Sequence, residues 1–331
     1  MWYMTWLNRG AILLKQKITD KNPFKRKNDL RRLQRKDNLQ LFSMAIPALI
    51  LLILFRYLPM YGLSLAFKKF KAADGIWGSA WNGLKNFEFF FKSGVLGQLL
   101  RNTIGMNFLF LAVNTVVTVV LALLLFELRS IKAIRTYQTI IFLPFVVSFA
   151  AASYALYANM SESFGIINNI LEFFGLESVA WYKEKGYWPT ILLVCYLWKQ
   201  IGYGMIIYYG NLMAVDSSYY EAATLDGANR IQKAWYISWP AIRPVVIMFF
   251  ILTLGRIFSA DFGLFYYLPM NSTFLYETTD VIDTYVYRAL REAGNVGMST
   301  AIGLLQSVCG FVVLIVANFF AKKIDEGGAV F

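Results

Sequence analysis

Six apolar stretches, each about as long as a bilayer is thick, constrain this chain more than anything else in it. A hydrocarbon core about 30 Å thick needs roughly 20 mostly apolar residues per helix. The stretches fall at about 42–58, 103–126, 137–159, 188–213, 241–262 and 298–320. They lack the alternation of a membrane barrel strand. An unpaired backbone group in lipid costs several kcal/mol, so each stretch is predicted to be a helix. Pro59 is expected to stop the first, and Pro144 lies inside the third. Composition agrees: 58% of the 331 residues are hydrophobic and 16% charged, against about 25% charged in soluble domains. Disorder and a soluble disulfide scaffold are excluded.

The charges between the stretches give an orientation. Residues 1–41 hold eleven Lys/Arg and three acids, most of the formal +12. Such a cluster reads as a membrane-orientation signal rather than a nucleic-acid surface, so no nucleic acid is expected as a partner. Around 127–136, Arg129, Lys132 and Arg135 outnumber Glu127. The loops at 160–187 and 263–297 are net acidic. The basic segments belong inside and the acidic ones outside. The loop at 59–98 fits poorly, with Lys68, Lys69, Lys71, Lys85 and Lys92 on the outer side. In it, Phe87, Phe89, Phe90 and Phe91 near Trp77 and Trp81 suggest an amphipathic interfacial helix. The expected fold is an all-α integral membrane protein of six transmembrane helices with both termini cytoplasmic. Residues 1–41 form a basic cytoplasmic segment, 42–323 the six-helix domain and 324–331 a cytoplasmic tail. No secretory signal peptide is evident. The first 14 residues read either as a short helix on the membrane surface or as a frayed tail.

Several chemistries are absent. There is no histidine, and Cys195 and Cys309 each lie in an apolar run. Metal sites, a disulfide framework and His-based acid–base catalysis are not expected. No GxxxxGK[ST] phosphate loop occurs, so the chain is not expected to hydrolyse ATP or to bind a cofactor of its own.

The connection at about 216–240 is too patterned for a linker. Ser217 or Ser218 can cap a helix through Glu221, Ala222 and Ala223. Asp226-Gly227 is a turn pair, and Gly227 suits the left-handed backbone that ends a helix. A second amphipathic helix is expected from Ala228 to Ser238, with Pro240 and Pro244 restarting the chain into the fifth span.

This segment resembles the EAA loop of permease subunits of binding-protein-dependent ABC importers. That pattern is Glu-Ala-Ala, three residues, Gly, about nine residues, then Ile-x-Leu-Pro. Here it reads Glu221-Ala222-Ala223, Gly227, Ile237 and Pro240, with Trp239 in the Leu position. Asp226-Gly227-Ala228 resembles sugar-importer permeases and Arg101-Asn102-Thr103 the family's start of its transport core, while the run Asp283 to Arg288 and the Gly/Ser-rich sixth span resemble the oligosaccharide/polysaccharide branch of the maltose-type family. The resemblance implies a bacterial cytoplasmic-membrane subunit forming half of a translocation path. It implies a second permease subunit, two ABC ATPase subunits carrying ATP and Mg, and an extracellular or periplasmic solute-binding protein. It also implies that Glu221, Ala222, Ala223, Asp226, Gly227, Ile237 and Pro240 couple the path to the ATPases.

Helical spacing suggests the path. Tyr196, Lys199, Gln200 and Tyr203 share one face of the fourth span, and Thr253 and Arg256 one face of the fifth, with Asp261 beyond. Ionisable groups in spans usually face a cavity. Tyr rings suit sugars, and Lys199 and Arg256 suit an anionic one. Other readings stay open: Lys199 as a snorkelling side chain, Arg256 as a bridge to Asp261. Asn114 and Asn211 are expected in interhelical hydrogen bonds, and Gly202, Gly204 and Gly210 in close helix packing. The alternative to an ABC importer is a gradient-driven secondary transporter or channel, for which the sequence lacks the usual internal repeat. A membrane enzyme finds no catalytic cluster within the spans.

Overall fold

The computed structural model describes residues 42–92 and 94–324. The basic segment at 1–41, with its possible surface helix, and the tail from 325 onward lie outside the described residues. The chain divides into two units, Met1–Leu63 and Ser64–Phe331. In the first, residues 42–63 are helical throughout. They belong to helix α1, Phe42–Phe67, which meets the length and hydropathy of a membrane span. Pro59 does not stop this helix. Proline cannot donate to the preceding turn, and the chain answers with a widened turn at Ile53–Tyr57 followed by a tighter 3-10 helix, Leu58–Phe67.

The second unit is helical as well, and the described residues contain no strand. A short helix α2, Lys85–Lys92, occupies the expected interfacial region. Its Asn86 amide donates to the carbonyls of Ala66 (2.8 Å) and Lys68 (2.9 Å), tying α2 to the chain before it. Lys68 is buried, with its ammonium on the carbonyl of Ile76 and over the ring of Trp81. One lysine of that poorly fitting loop is therefore an internal clamp rather than a surface charge.

The long helices are α3 (Leu96–Phe126), α6 (Trp188–Leu212), α8 (Arg230–Leu254) and α10 (Val296–Ile324). The third stretch corrects the expectation of one straight span. It is two helices, α4 (Ile131–Val146) and α5 (Phe149–Met160), bent by 96°. Pro144 weakens the last turn of α4 by removing a donor, and Ser148 starts α5 afresh by accepting from the Ala151 N–H at 3.2 Å. The described chain thus has five helices able to cross a membrane, or six if the bent pair counts as one span. The fifth span is also shifted. It runs Arg230–Leu254 rather than 241–262, and Pro240 and Pro244 lie within it instead of restarting it.

Packing centres on α6. Within lipid, close contact replaces hydrophobic exclusion as the driving force. At Gly202 a side chain would meet the Ile141 carbonyl at 2.3 Å, and at Gly204 the Thr118 methyl at 2.8 Å. These two glycines let α6 press on α4 and α3. Gly210 faces open space and has no such role. One core joins Met106, Phe110, Phe149, Trp188, Leu192 and Phe265; another joins Ala122, Met205, Tyr208, Leu212 and Ile242. A third sets Leu99 of α3 against Ile282, Met298 and Ile302, bringing in helix α9, Ile282–Arg291.

Candidate functional site: a membrane cavity and a helical coupling segment

A cavity of about 630 Å³ opens between α3, α6 and the end of α8. Tyr196, Gln200 and Tyr203 of α6 line it, with Thr253, Arg256 and Asp261. The face inferred from spacing is therefore brought together with one exception, Lys199. The lysine turns from the cavity and donates to the backbone carbonyls of Phe145 (2.9 Å) and Val147, at the break between α4 and α5. An uncompensated lysine at a span centre costs roughly 2.5–3.5 kcal/mol; here two carbonyl acceptors and the rings of Phe145 and Phe149 offset that penalty.

Thr253 and Arg256 reach the cavity by a different geometry from the one expected. The helix ends at Leu254, and residues 255–261 form a non-helical turn, so Arg256 and Asp261 stand on irregular backbone. Such backbone at membrane depth persists only where protein satisfies it or it lines a cavity. Both conditions hold here. The Asn107 amide donates to the carbonyls of Ile257 (2.8 Å) and Ser259 (3.2 Å). The Gln306 amide donates to Phe258 at 2.7 Å, and the Ala260 N–H to the Asp283 carboxylate at 2.7 Å. Burial pushes the Asp283 carboxyl above the usual range, partly opposed by the hydrogen bonds from Ala260 and Gln306. Arg256 and Asp261 form no ion pair with each other; Asp261 instead accepts from the Leu264 N–H at 3.2 Å. Among the described residues, Arg256 is the sole cation on the lining.

The opposite wall was not anticipated. Asn107, Asn114, Thr115 and Thr118 of α3 all line the cavity. Their spacing puts them on one helical face, a signal present in the sequence. Asn114 makes no interhelical bond; it accepts from Thr118 at 3.4 Å, and Asn211 likewise donates within its own helix to Ile207. Aromatic rings complete the wall. Phe110 and Tyr196, both on the lining, stack at 4.6 Å between centroids, and Tyr203 is backed by Phe145 from behind the lining at 5.0 Å.

The second candidate site is the patterned connection. Helix α7, Ser217–Leu225, is capped by Asp216 rather than by either serine, its carboxylate accepting from the Ser218 N–H at 2.9 Å. That bond holds the Asp216 carboxyl below its usual range. Gly227 takes φ +82°, and the Ala228 N–H returns to the Ala223 carbonyl at 2.9 Å, closing the helix as expected of a left-handed cap. Asn229 and Gln232 then cap α8 reciprocally. The expected second helix is consequently the first turns of α8, continuous with the fifth span. Contacts fix α7 to the spans. Tyr220 Oη lies 3.0 Å from Ser238 Oγ, and its ring packs on Phe126 at the end of α3. Beside it, Arg230 of α8 pairs with Glu127 at the end of α3 at 3.7 Å. Glu221, Ala222, Asp226 and Pro240 are exposed, while Ala223 and Ile237 are half-buried. The Glu221 carboxylate has no partner among the described residues.

Among the described residues, no cluster of His, Cys, Asp or Glu could hold a metal ion. Residues 133–326 match the family described as binding-protein-dependent transport system inner membrane component. Two proteins of Bacillus subtilis (strain 168) are each 34% identical over 288 residues, 87% of this chain. They are the polygalacturonan/rhamnogalacturonan transport system permease protein YteP, 89% covered, and protein LplB, 90% covered. Among solved structures, a bacterial ABC transporter involved in import of the acidic polysaccharide alginate aligns with TM-score 0.80 at 29% identity, covering 88% of this chain and 99% of that one. The same kind of transporter in complex with an alginate pentasaccharide-bound periplasmic protein aligns with TM-score 0.79, covering 87% and 96%.

Proposed function

Because this chain belongs to the binding-protein-dependent transport system inner membrane components, and is thus a multi-pass permease subunit of an ABC sugar importer, we propose that it forms half of the path for an oligosaccharide or polysaccharide fragment. A second permease subunit supplies the other half. An extracellular or periplasmic solute-binding protein delivers the sugar to the outer face of a bacterial cytoplasmic membrane. The observation that carries this reading is the cavity, whose stacked aromatic rings, amides and hydroxyls match the alternating apolar faces and hydroxyl edges of a sugar chain. Arg256, unpaired among the described residues, suits a carboxylate on that chain. The substrates named for the relatives, polygalacturonan and alginate, support a fragment of this kind.

Energy enters from outside the chain, which has no phosphate-binding loop. Two ATPase subunits hold ATP and Mg. Helix α7 seats on an ATPase, with the free Glu221 carboxylate meeting a basic group there. Its Tyr220, whose hydroxyl meets Ser238 of α8 and whose ring packs on Phe126 of α3, makes it a lever on the spans. When the ATPases close, α7 moves as a body and the spans rock between inward- and outward-facing states. The test is ATP hydrolysis by the assembled complex in lipid, with solute-binding protein added empty or loaded with oligosaccharide. Stimulation by the loaded form alone is expected; the same rate with every form, or no associated ATPase, would refute the proposal.

A further inference from the structure

The break in the third span leaves two carbonyls, those of Phe145 and Val147, with no backbone N–H partner among the described residues. In an unbroken α-helix they would accept from Phe149 and Ala151. The Ala151 N–H is taken by the Ser148 hydroxyl instead, and the Lys199 ammonium occupies both carbonyls. Straightening the span would bring the Phe149 and Ala151 N–H groups onto the carbonyls that the ammonium now holds, so the two forms compete for the same acceptors. Charge favours this arrangement, since the C-terminal end of α4 carries the negative pole of its helix.

Lys199 and Tyr203 lie one turn apart on α6 and hold the same residue. The lysine grips the Phe145 backbone, while Tyr203 stacks on its ring with planes 13° apart. Gly202 between them lets α6 approach the α4 backbone closely enough for both contacts. Tyr203 is part of the cavity lining. We propose that Lys199 is a positioning residue: it holds the third span in its bent form and thereby fixes Phe145 as the ring that backs Tyr203 of the cavity wall. An element with two competing hydrogen-bonding patterns is the kind of part that can change state in one step. The bend itself is independent of the importer reading; only its consequence for the sugar path rests on that reading.

The test places nitroxide labels at Ile140 and Tyr154, both exposed on opposite arms of the bend, with Cys195 and Cys309 replaced. The assembled complex is measured in lipid. Their backbones would stand about 21 Å apart in a continuous helix at 1.5 Å per residue, and about 14 Å apart across the bend. Wild type should show the short separation. Lys199→Met should move much of the population to the long one, and Lys199→Arg, which keeps charge and several donors, should restore the short one. If Lys199→Met fails to insert, Lys199→Gln is read in its place. An unchanged short separation in the neutral variant would overturn the inference, as would a long separation in wild type. The predicted separations in a complex that no loaded binding protein stimulates would uphold the bend and sink the importer reading, so the two failures are distinguishable.

Discussion

Under the proposed function, Arg256 is the residue whose charge bears on what the cavity accepts. It lies just past the last turn of α8, on backbone whose carbonyls and N–H groups are held by Asn107, Gln306 and Asp283. Such fixation sets where the Arg256 backbone stands, so the turn itself need not reorganise at binding. A charge-assisted hydrogen bond contributes about 1.5–3 kcal/mol. Arg256→Gln should therefore raise the KM for a short oligouronate about tenfold or more, and that for its methyl ester far less; uptake of both sugars by both proteins measures it. Equal losses on the two sugars would mean that Arg256 does not read the carboxylate. At this scale the sequence is only partly legible. Tyr196, Gln200 and Tyr203 share a face because α6 keeps its period throughout. Lys199 belongs to that face by spacing alone. Its long stem carries the charge to a helix break some fifty residues earlier in the chain, which no local pattern announces.

At the scale of elements, α7 and α6 make separate claims. Gly227 holds a backbone conformation that costs other L-residues about 1–2 kcal/mol. Proline there would also lose the N–H that bonds to the Thr224 carbonyl. Gly227→Pro should leave the chain inserted in the membrane but re-aim α7, so that the ATPases detach or hydrolyse ATP without import. Full import by this variant would show that α7 is not the lever. Along α6, single cysteines at Tyr196, Gln200 and Tyr203, with Cys195 and Cys309 replaced, should react with a water-soluble thiol reagent. Cysteines at the buried Leu192 and Met205 should not; equal protection everywhere would describe a packed core. The helices themselves were legible from apolar length, and the coupling turn from Asp226-Gly227. Their ends were not. Pro59 looks like a stop and Pro244 like a restart, yet each is absorbed within a helix, Pro59 after a widened turn. Only at Pro144 does a break follow, because Ser148 is placed to start a new helix and Lys199 to cap the old one.

At the scale of the whole molecule, a cavity of about 630 Å³ between the spans and a helical segment tied to α3 and α8 occur in a chain whose sequence has no GxxxxGK[ST] phosphate loop. The central claim is that ATP on partner subunits, and not an ion gradient, moves an oligosaccharide past this chain. The most direct measurement is oligosaccharide flux in sealed proteoliposomes containing the full complex, with loaded binding protein on the outer side. ATP is supplied or withheld inside, with and without an ionophore that collapses ion gradients. The account predicts flux that requires internal ATP and binding protein and is indifferent to the ionophore. Flux that persists without ATP and disappears with the ionophore would contradict it.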